Sequence, residues 1–178
     1  FQRKYVLEAL ERNNGNRTFT DVSVPSGISK VGGSYAMTAV AADFDNDGWP
    51  DLYVACDSTP SLLYRNQRDG TFQEISVEAG TAYGESGQEQ GSMGIAAGDY
   101  NNDGFTDVYV TRLGFYGGEG QLFRNNGDGT FTDVTAQAGL KVWGPAFTAS
   151  WVDYNSDGHL DLFIANNLGG LFDRKTPN

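Results

Sequence analysis

A pattern of 13 residues occurs three times in this chain, and it constrains the fold more than any other feature of the sequence. Its copies begin at Asp43, Asp99 and Asp153, which are 56 and 54 residues apart. They read DFDNDGWPDLYVA, DYNNDGFTDVYVT and DYNSDGHLDLFIA. A domain with a single core does not repeat itself at such a period, so the pattern predicts a tandem array.

A second element recurs between these copies. It reads LYRNQRDGTFQEIS from Leu63 and LFRNNGDGTFTDVT from Leu122, and a third copy, RNNGNRTFTDVS, begins at Arg12. Asp-Gly between strand-like runs is a strong hairpin signal. The element therefore predicts two short strands joined by a tight turn.

The first pattern predicts two further strands, one on each side of its acidic residues. Small residues precede the acidic stretch (TAVAA, GIAAG and TASWV), and short apolar runs follow it (LYVAC, VYVT and LFIAN). Consecutive apolar residues over so short a length indicate a strand buried on both faces. The small residues suit an innermost strand, crowded near a central axis. Each unit therefore holds about four short antiparallel strands, as in a propeller blade.

The predicted fold class is all-β, with β-propeller-type blades of four-stranded antiparallel sheets. We expect an N-terminal arm with the last strand of a blade over 1–23, repeat 1 over 24–80, repeat 2 over 81–140 and an incomplete repeat 3 over 141–178. These pieces sum to about three blades, too few to close a propeller. The chain is then a fragment of a longer propeller, half of a ring closed by two copies, or one link of a head-to-tail polymer completed by the N-terminal strand.

The three acidic stretches share the spacing D-x-[DN]-x-D-G-x-x-D. Oxygen side chains at positions 1, 3, 5 and 9 project toward one centre, the glycine at position 6 permits a sharp reversal, and the carbonyl of position 7 can face inward. Such a set suits Ca²⁺, which takes six to eight oxygen ligands. The predicted ligands are Asp43, Asp45, Asp47, Trp49 and Asp51; Asp99, Asn101, Asp103, Phe105 and Asp107; and Asp153, Asn155, Asp157, His159 and Asp161.

About three structural Ca²⁺ ions are expected, because ten carboxylates and two amides can saturate three such sites. Three ions would change the formal charge from −11 to −5. EF-hand loops share the first six positions, but they need an acidic residue at position 12 and a following helix. Position 12 is Val54, Val110 or Ile164, inside strand-like sequence, so an EF-hand is excluded.

These motifs resemble the FG-GAP/VCBS repeat family, the calcium-binding blades of integrin α-like β-propellers, and in particular its ASPIC/UnbV and cartilage acidic protein-like variant. The resemblance extends from Arg12 to Phe172. It implies a calcium-stabilised propeller scaffold for adhesion, structure or assembly, in an extracellular, secreted or cell-surface protein. The chain departs from the pattern at FQRKYVLEAL and at LFDRKTPN, where a blade would need further strands.

Composition narrows the range of partners. A formal charge of −11 argues against nucleic acid and against an anionic membrane surface. The chain lacks an apolar run of about 18 residues, so no membrane span is expected. A protein or glycan partner is compatible with the sequence, as is self-association through the N-terminal strand and the incomplete last blade. Residues 1–11 fit either a short helix or an edge strand, and either an assembly arm or a linker.

The sequence does not predict an enzyme. His159 is its only histidine, and no nucleophile triad, phosphate loop or zinc spacing accompanies it. Cys56 is predicted to be a small buried side chain. The alternative function is a propeller lectin or the carbohydrate-binding module of a carbohydrate-active enzyme, with Tyr83, Phe115 and Tyr116 as exposed aromatics. Asn16 begins an N-glycosylation sequon, which has meaning only in a secreted protein.

Overall fold

The structure, a computed structural model, describes residues 8–84, 87–113, 120–140 and 145–166. Twelve strands lie in this part of the chain, with one short helix, α1 (Ser76–Ala79), and one 3-10 turn (Ile28–Lys30). The strands are β1 (Glu11–Asn13), β2 (Phe19–Asp21), β3 (Ala36–Ala42), β4 (Asp51–Thr59), β5 (Leu62–Asn66), β6 (Phe72–Glu74), β7 (Gln90–Gly98), β8 (Asp107–Arg112), β9 (Gln121–Asn125), β10 (Phe131–Asp133), β11 (Ala146–Val152) and β12 (Asp161–Asn166). The predicted all-β fold class is confirmed.

Two four-stranded antiparallel meanders form the centre of the structure. β3 to β6 pair in chain order, and β7 to β10 do the same. A short pairing of β4 with β7 joins the two, with Asp57 opposite Gly91 and Thr59 opposite Gln90. β11 and β12 pair as the first two strands of a third unit. The predicted four-stranded blades are therefore present in the described chain.

The N-terminal piece forms a complete hairpin, β1 with β2. The repeated element that begins at Arg12 predicts such a hairpin, whereas the predicted division of the chain assigns only the last strand of a blade to 1–23. The copied element contains the turn as well as the strand after it, and Gly15 and Arg17 in this turn adopt φ values of 77° and 71°. The first 7 residues, on which most of the helix-or-strand prediction falls, lie outside the described residues.

The second strand of each meander is buried on both faces because its side chains alternate between two cores. Tyr53 of β4 joins Val108 and Phe123 in a core between the two meanders. Its neighbour Val54 joins Ile28 and Tyr64 on the opposite side. The consecutive apolar run is thus explained by neighbouring sheets on each side, as predicted.

The first strands, β3, β7 and β11, lie side by side. A methyl group added at Gly94 in β7 would lie 2.4 Å from the carbonyl oxygen of Phe147 and 2.7 Å from the Cα of Thr148, both in β11. Only glycine allows so close an approach of two backbones. The small residues before each acidic stretch therefore serve strand-to-strand contact.

One face of the third unit is open in the described chain. Phe163 in β12 occupies the position that Tyr53 has in β4 and Tyr109 in β8. Tyr53 and Tyr109 are 1% and 0% exposed, whereas Phe163 is 63% exposed. The difference follows from position, since the next unit along the chain covers each tyrosine and none of the described strands covers Phe163.

Candidate metal centre

The three acidic stretches form equivalent loops, each joining the first strand of a unit to the second. They lie between β3 and β4, between β7 and β8, and between β11 and β12. Position 12 of each stretch lies in a strand, as the sequence predicts: Val54 in β4, Val110 in β8 and Ile164 in β12. Each loop therefore connects strands and not helices.

The aspartate at position 1 folds its own loop. In the first loop, one oxygen of Asp43 accepts the backbone N–H of Asp47 at 3.0 Å, and the other accepts that of Gly48 at 2.8 Å. Asp99 makes the same two bonds at 3.0 and 2.8 Å. Asp153 makes them at 3.1 and 3.0 Å. These bonds turn successive backbone N–H groups toward the carboxylate and hold positions 5 and 6 in place.

Two positions in each loop adopt left-handed backbone conformations. The glycines at position 6 have φ of 88°, 90° and 86°, which explains their presence. Position 4 is left-handed as well, with φ of 55° at Asn46, 59° at Asn102 and 60° at Ser156. Sequence analysis missed position 4, although asparagine is the side chain that best tolerates this conformation.

Positions 3 and 5 also accept backbone hydrogen bonds in all three loops. Asp45, Asn101 and Asn155 accept the N–H of position 5 at 3.2, 3.0 and 3.1 Å. Asp47, Asp103 and Asp157 accept the N–H of position 7 at 2.8, 2.9 and 2.9 Å. Each of these side chains has a second oxygen lone pair or a second oxygen left for a cation.

The carboxylate at position 9 is the most deeply buried member of the set in the first two loops, whereas Asp161 in the third loop is partly exposed. Asp51 is 3% exposed and Asp107 is fully buried. Each accepts two backbone N–H groups. For Asp107 these belong to Asn125 at 2.8 Å and Tyr100 at 3.1 Å. Position 9 thus ties its loop to the third strand of the unit as well as to the second.

Asn66 and Asn125, at the ends of β5 and β9, support these loops and were missed as site residues. Their backbone N–H groups bond to Asp51 and Asp107, both at 2.8 Å. The side-chain amide of Asn125 also donates to the carbonyl of Phe44 at 2.7 Å, in the preceding repeat. The signal was available, because this asparagine recurs in the second repeated element.

In the first loop, carboxylate oxygens of Asp43, Asp45 and Asp51 lie within 4.8 Å of one another. Burial, together with the charges of Asp47 and Asp43, raises the pKa of Asp45. Burial raises the pKa of Asp51 despite its two N–H donors. Burial raises the pKa of Asp107 to about 6, again against the N–H groups of Asn125 and Tyr100. In the first two loops, burial therefore raises the pKa of carboxyl groups despite their backbone N–H donors. In the third loop the N–H of His159 and the amide of Asn155 lower the pKa of Asp157.

The second carboxylate oxygen of position 5 accepts a side-chain hydrogen bond in every loop. The donor belongs to position 3 in two loops and to a different part of the chain in the first. In the second and third loops the amides of Asn101 and Asn155 donate to this oxygen, both at 2.9 Å. Position 3 of the first loop is Asp45, which has no donor when ionised. There Arg68, from the turn between β5 and β6, donates to Asp47 at 2.7 Å.

Neighbouring loops are joined by side chains at position 4. The amide of Asn46 donates to the carbonyl of Gly104 at 2.9 Å. The amide of Asn102 donates to the carbonyl of Gly158 at 3.2 Å and lies 3.3 Å from Nδ1 of His159. The three loops therefore form one row.

The donor set fits a hard cation, since it consists of carboxylate, amide and carbonyl oxygens. Among the described residues, three acidic oxygens are brought within 4.8 Å of one another in the first loop only, by positions 1, 3 and 9. The other predicted side-chain ligands stay predictions. The structure also shows the N–H groups of Trp49, Phe105 and His159 bonded to position 5. The carbonyl groups of these three residues stay predicted ligands.

The sequence model of the FG-GAP-like repeat family matches residues 9–54, 43–110 and 112–164. This chain belongs to the FG-GAP-like repeat family. Each matched segment ends inside the strand that follows an acidic loop, so the loops and strands described above are the repeat itself.

Relatives of this FG-GAP repeat chain include a cartilage acidic protein and integrin alpha chains. Human Cartilage acidic protein 1 is 26% identical over 162 residues, which is 89% of this chain and 23% of that protein. Integrin alpha-3 of Cricetulus griseus is 26% identical over 156 residues, 78% of this chain and 14% of the integrin. Human Integrin alpha-7 is 25% identical over 168 residues. The chain spans about a quarter or less of the length of these relatives.

The sequence also predicts a buried cysteine and three exposed aromatic side chains. Cys56 is fully buried, as expected, and burial raises the pKa of its thiol to about 11. Tyr83 is 39% exposed, while Phe115 and Tyr116 lie outside the described residues. Among the described helices, none is long and apolar enough to cross a membrane.

Proposed function

We propose that this chain is a non-catalytic repeat segment whose three acidic loops each bind one structural Ca²⁺, and that its blades serve adhesion, structure or assembly outside the cell. The observation that carries the proposal is the buried carboxylate at position 9 of the first two loops, Asp51 and Asp107, held at a strand junction within an acidic loop. Asp107 is fully buried with a pKa raised to about 6, and its partners in the loop add negative charge. A divalent cation is the simplest counter-charge for such a set.

Within each site the protein residues have distinct roles. Positions 1, 3 and 5 would hold the cation from the loop, and position 9 would hold it from the start of the second strand. Position 1 also fixes the loop through its two backbone bonds. The bound ion supplies positive charge at the junction of two strands, so a loaded loop would fasten the inner strand to its neighbour.

Relationship supports the extracellular, adhesive part of the proposal. Cartilage acidic protein 1 and the integrin alpha chains are related to this segment over most of its length. We also propose that the chain divides into the units 1–23, 24–80, 81–140 and 141–178. β3 to β6 and β7 to β10 lie within the second and third of these units.

Self-association or a further repeat would use the open face of the third unit. Three large apolar side chains lie on or beside β12 with high exposure: Val152 at 43%, Tyr154 at 75% and Phe163 at 63%. The equivalents of Tyr154 are Phe44, which is 3% exposed, and Tyr100, which stacks on Trp151. We propose that another FG-GAP repeat, from the parent chain or from a second copy, covers this face.

Thermal unfolding with and without calcium tests the proposed function. A ligand that binds only the folded protein stabilises it by about 4 kcal/mol at a concentration 1,000-fold above its Kd. We therefore expect millimolar Ca²⁺ to raise the melting temperature and excess chelator to lower it. Asp103→Asn should reduce the calcium-dependent gain, and Asp128→Asn, in the exposed turn between β9 and β10, should leave it intact. An identical melting temperature in calcium and in chelator would reject the proposal.

A further inference from the structure

Two asparagine side chains connect the three acidic loops in series. Asn46 in the first loop donates to the carbonyl of Gly104 in the second, 58 residues away. Asn102 in the second loop donates to the carbonyl of Gly158 in the third, 56 residues away. Both asparagines are at position 4 and both acceptors are at position 6. The link is therefore the same contact made twice, and not an isolated surface bond.

Each end of the link lies between two predicted ligands of its own loop. Asn46 stands between Asp45 and Asp47, and its left-handed backbone is held by the bonds that Asp43 and Asp45 accept from the N–H of Asp47. Gly104 stands between Asp103 and Phe105, and its N–H is bonded to Asp99. Movement of either loop's ligands therefore moves one end of the hydrogen bond.

The third loop has a different residue at this position. Ser156 adopts the same left-handed conformation, with φ of 60°. Its side chain is shorter than that of asparagine and ends in a single hydroxyl. The loop fold thus accepts serine, and the amide at Asn46 and Asn102 serves the contact between loops and not the turn itself.

We infer that cation binding is cooperative between neighbouring loops. The hydrogen bonds of Asn46 and Asn102 couple the loops, so that a cation bound in one loop raises the cation affinity of the next. The inference rests on the proposed function, since it concerns the regulation of the same sites. Ligation through Asp45 and Asp47 would fix the peptide of Asn46 and hence the amide that meets Gly104. The second loop would then lose less conformational entropy when its own cation binds, which raises its affinity. By linkage, occupancy of the second loop favours occupancy of the first to the same degree.

Repulsion between bound cations opposes this cooperativity, and an experiment must separate the two contributions to affinity. A cation in one loop reduces the negative charge that attracts a cation to the next, which lowers affinity there. Salt screens this repulsion, because the Debye length is about 10 Å at 0.1 M and about 3 Å at 1 M. A short hydrogen bond is screened much less. Titrations in 0.5 M KCl therefore emphasise the contribution of the asparagines.

The position-6 glycines provide one reporter for each loop. The backbone N–H groups of Gly48, Gly104 and Gly158 are each bonded to the position-1 aspartate of their own loop. Their amide resonances in ¹H–¹⁵N spectra of the full chain should each respond to Ca²⁺ in the loop concerned. A calcium titration then gives three midpoints in one experiment.

Asn46→Ser and Asn102→Ser serve as controls for each other, since serine is the native residue at position 156. Loss of a hydrogen bond worth about 0.5–1.5 kcal/mol corresponds to about a two- to tenfold change in affinity. We expect Asn46→Ser to raise the midpoints of Gly48 and Gly104, the two loops that this side chain joins, by up to that factor. Asn102→Ser should raise the midpoints of Gly104 and Gly158 in the same way, so Gly158 is the internal control for the first variant and Gly48 for the second. Midpoints that do not move in either variant would overturn the inference.

A double-mutant cycle separates coupling from local support of the turn. Asp43→Asn with Asp47→Asn weakens calcium binding in the first loop while retaining side-chain oxygens there. In that background we expect the midpoint of Gly104 to be raised already, and Asn46→Ser to add no further change. If Asn46→Ser has its full effect although the first loop is empty, the bond acts locally and coupling is rejected. If no glycine of the wild type responds to Ca²⁺, the proposed function itself fails, which is a different result.

Discussion

At the scale of single residues, Asn66 and Asn125 support the candidate cation sites although they lie outside the acidic loops, in the second repeated element. Each bonds through its backbone N–H to a position-9 aspartate, and each side-chain amide donates to a backbone carbonyl at 3.0 Å or 2.7 Å. Asn125 is 1% exposed. The hairpin and the acidic loop of one unit are therefore a single hydrogen-bonded body.

The raised pKa of Asp107 gives a prediction for the calcium-free protein. An acid whose pKa is higher in the folded state than in the unfolded state favours folding when protonated, and this stability is lost as pH rises from about 4 through about 6. Asp107→Asn cannot ionise, so it should gain stability relative to the wild type over this range. Thermal unfolding of metal-free protein at several pH values between 4 and 7 measures the difference. In saturating Ca²⁺ at pH 7 the order should reverse, with the variant less stable.

Arg68 gives a second prediction at this scale. Its guanidinium occupies the second oxygen of Asp47, and repeat 2 has Gly127 in its place. The guanidinium is mostly exposed and the Asp47 side chain is 9% exposed, so water weakens this ion pair only from the side of Arg68. Arg68→Gly should therefore tighten calcium binding in the first loop by up to about fivefold. Calorimetric titration measures the change.

Arg17→Gly is the matched control for Arg68→Gly. Arg17 also has a positive φ, lies in the equivalent hairpin turn and carries the same charge, but no ion pair of Arg17 is found among the described residues. An equal change in both variants would show that net charge or backbone strain, and not the contact with Asp47, is responsible.

At the scale of elements, β7 and β11 approach so closely that no side chain fits at Gly94. Gly94→Ala would place a methyl group 2.4 Å from the Phe147 carbonyl, and overpacking of this kind costs about 1–3 kcal/mol. We expect a fall in melting temperature of roughly 2–10 °C. Gly32→Ala, where nothing lies within 4 Å, should change the melting temperature by no more than about 1 °C. Equal effects of the two substitutions would contradict the strand packing.

Much of the fold follows from the sequence, because period, hairpin signals and apolar runs are local properties. LYVAC predicts a doubly buried strand, and β4 is one. The loop positions 1, 3, 5, 6 and 9 follow in the same way from spacing alone. The bond from Asn46 to Gly104 and that from Asn125 to Phe44 could not be predicted, since they depend on how two units 50 or more residues apart are placed side by side. The ion pair of Arg68 depends likewise on the path of a turn.

At the scale of the whole molecule, the two ends of the described array differ. Toward the N-terminus, Ile28 is buried with Val54 and Tyr64, and Leu10 packs against this core. Toward the C-terminus, Phe163 and Tyr154 are exposed among the described residues. Under the proposed function, this apolar face is the one that another repeat would cover.

Phe163→Asp tests association through this face. If copies of the chain assemble, the substitution should reduce the native mass to that of one chain, as measured by light scattering. Val77→Asp is the control, because Val77 is 65% exposed on α1, away from β12. A wild-type chain that is already monomeric at high concentration would exclude assembly of copies and leave a further repeat of the parent protein as the partner of this face.

If each of the three loops binds one Ca²⁺, native mass spectrometry of the chain in calcium will count the ions. We expect three ions per chain, two in Asp103→Asn with Asp107→Asn, and three in the control Asp69→Asn with Asp128→Asn. A chain that carries no calcium at millimolar Ca²⁺, or that retains all its ions when the loop aspartates are replaced, would contradict the proposed sites.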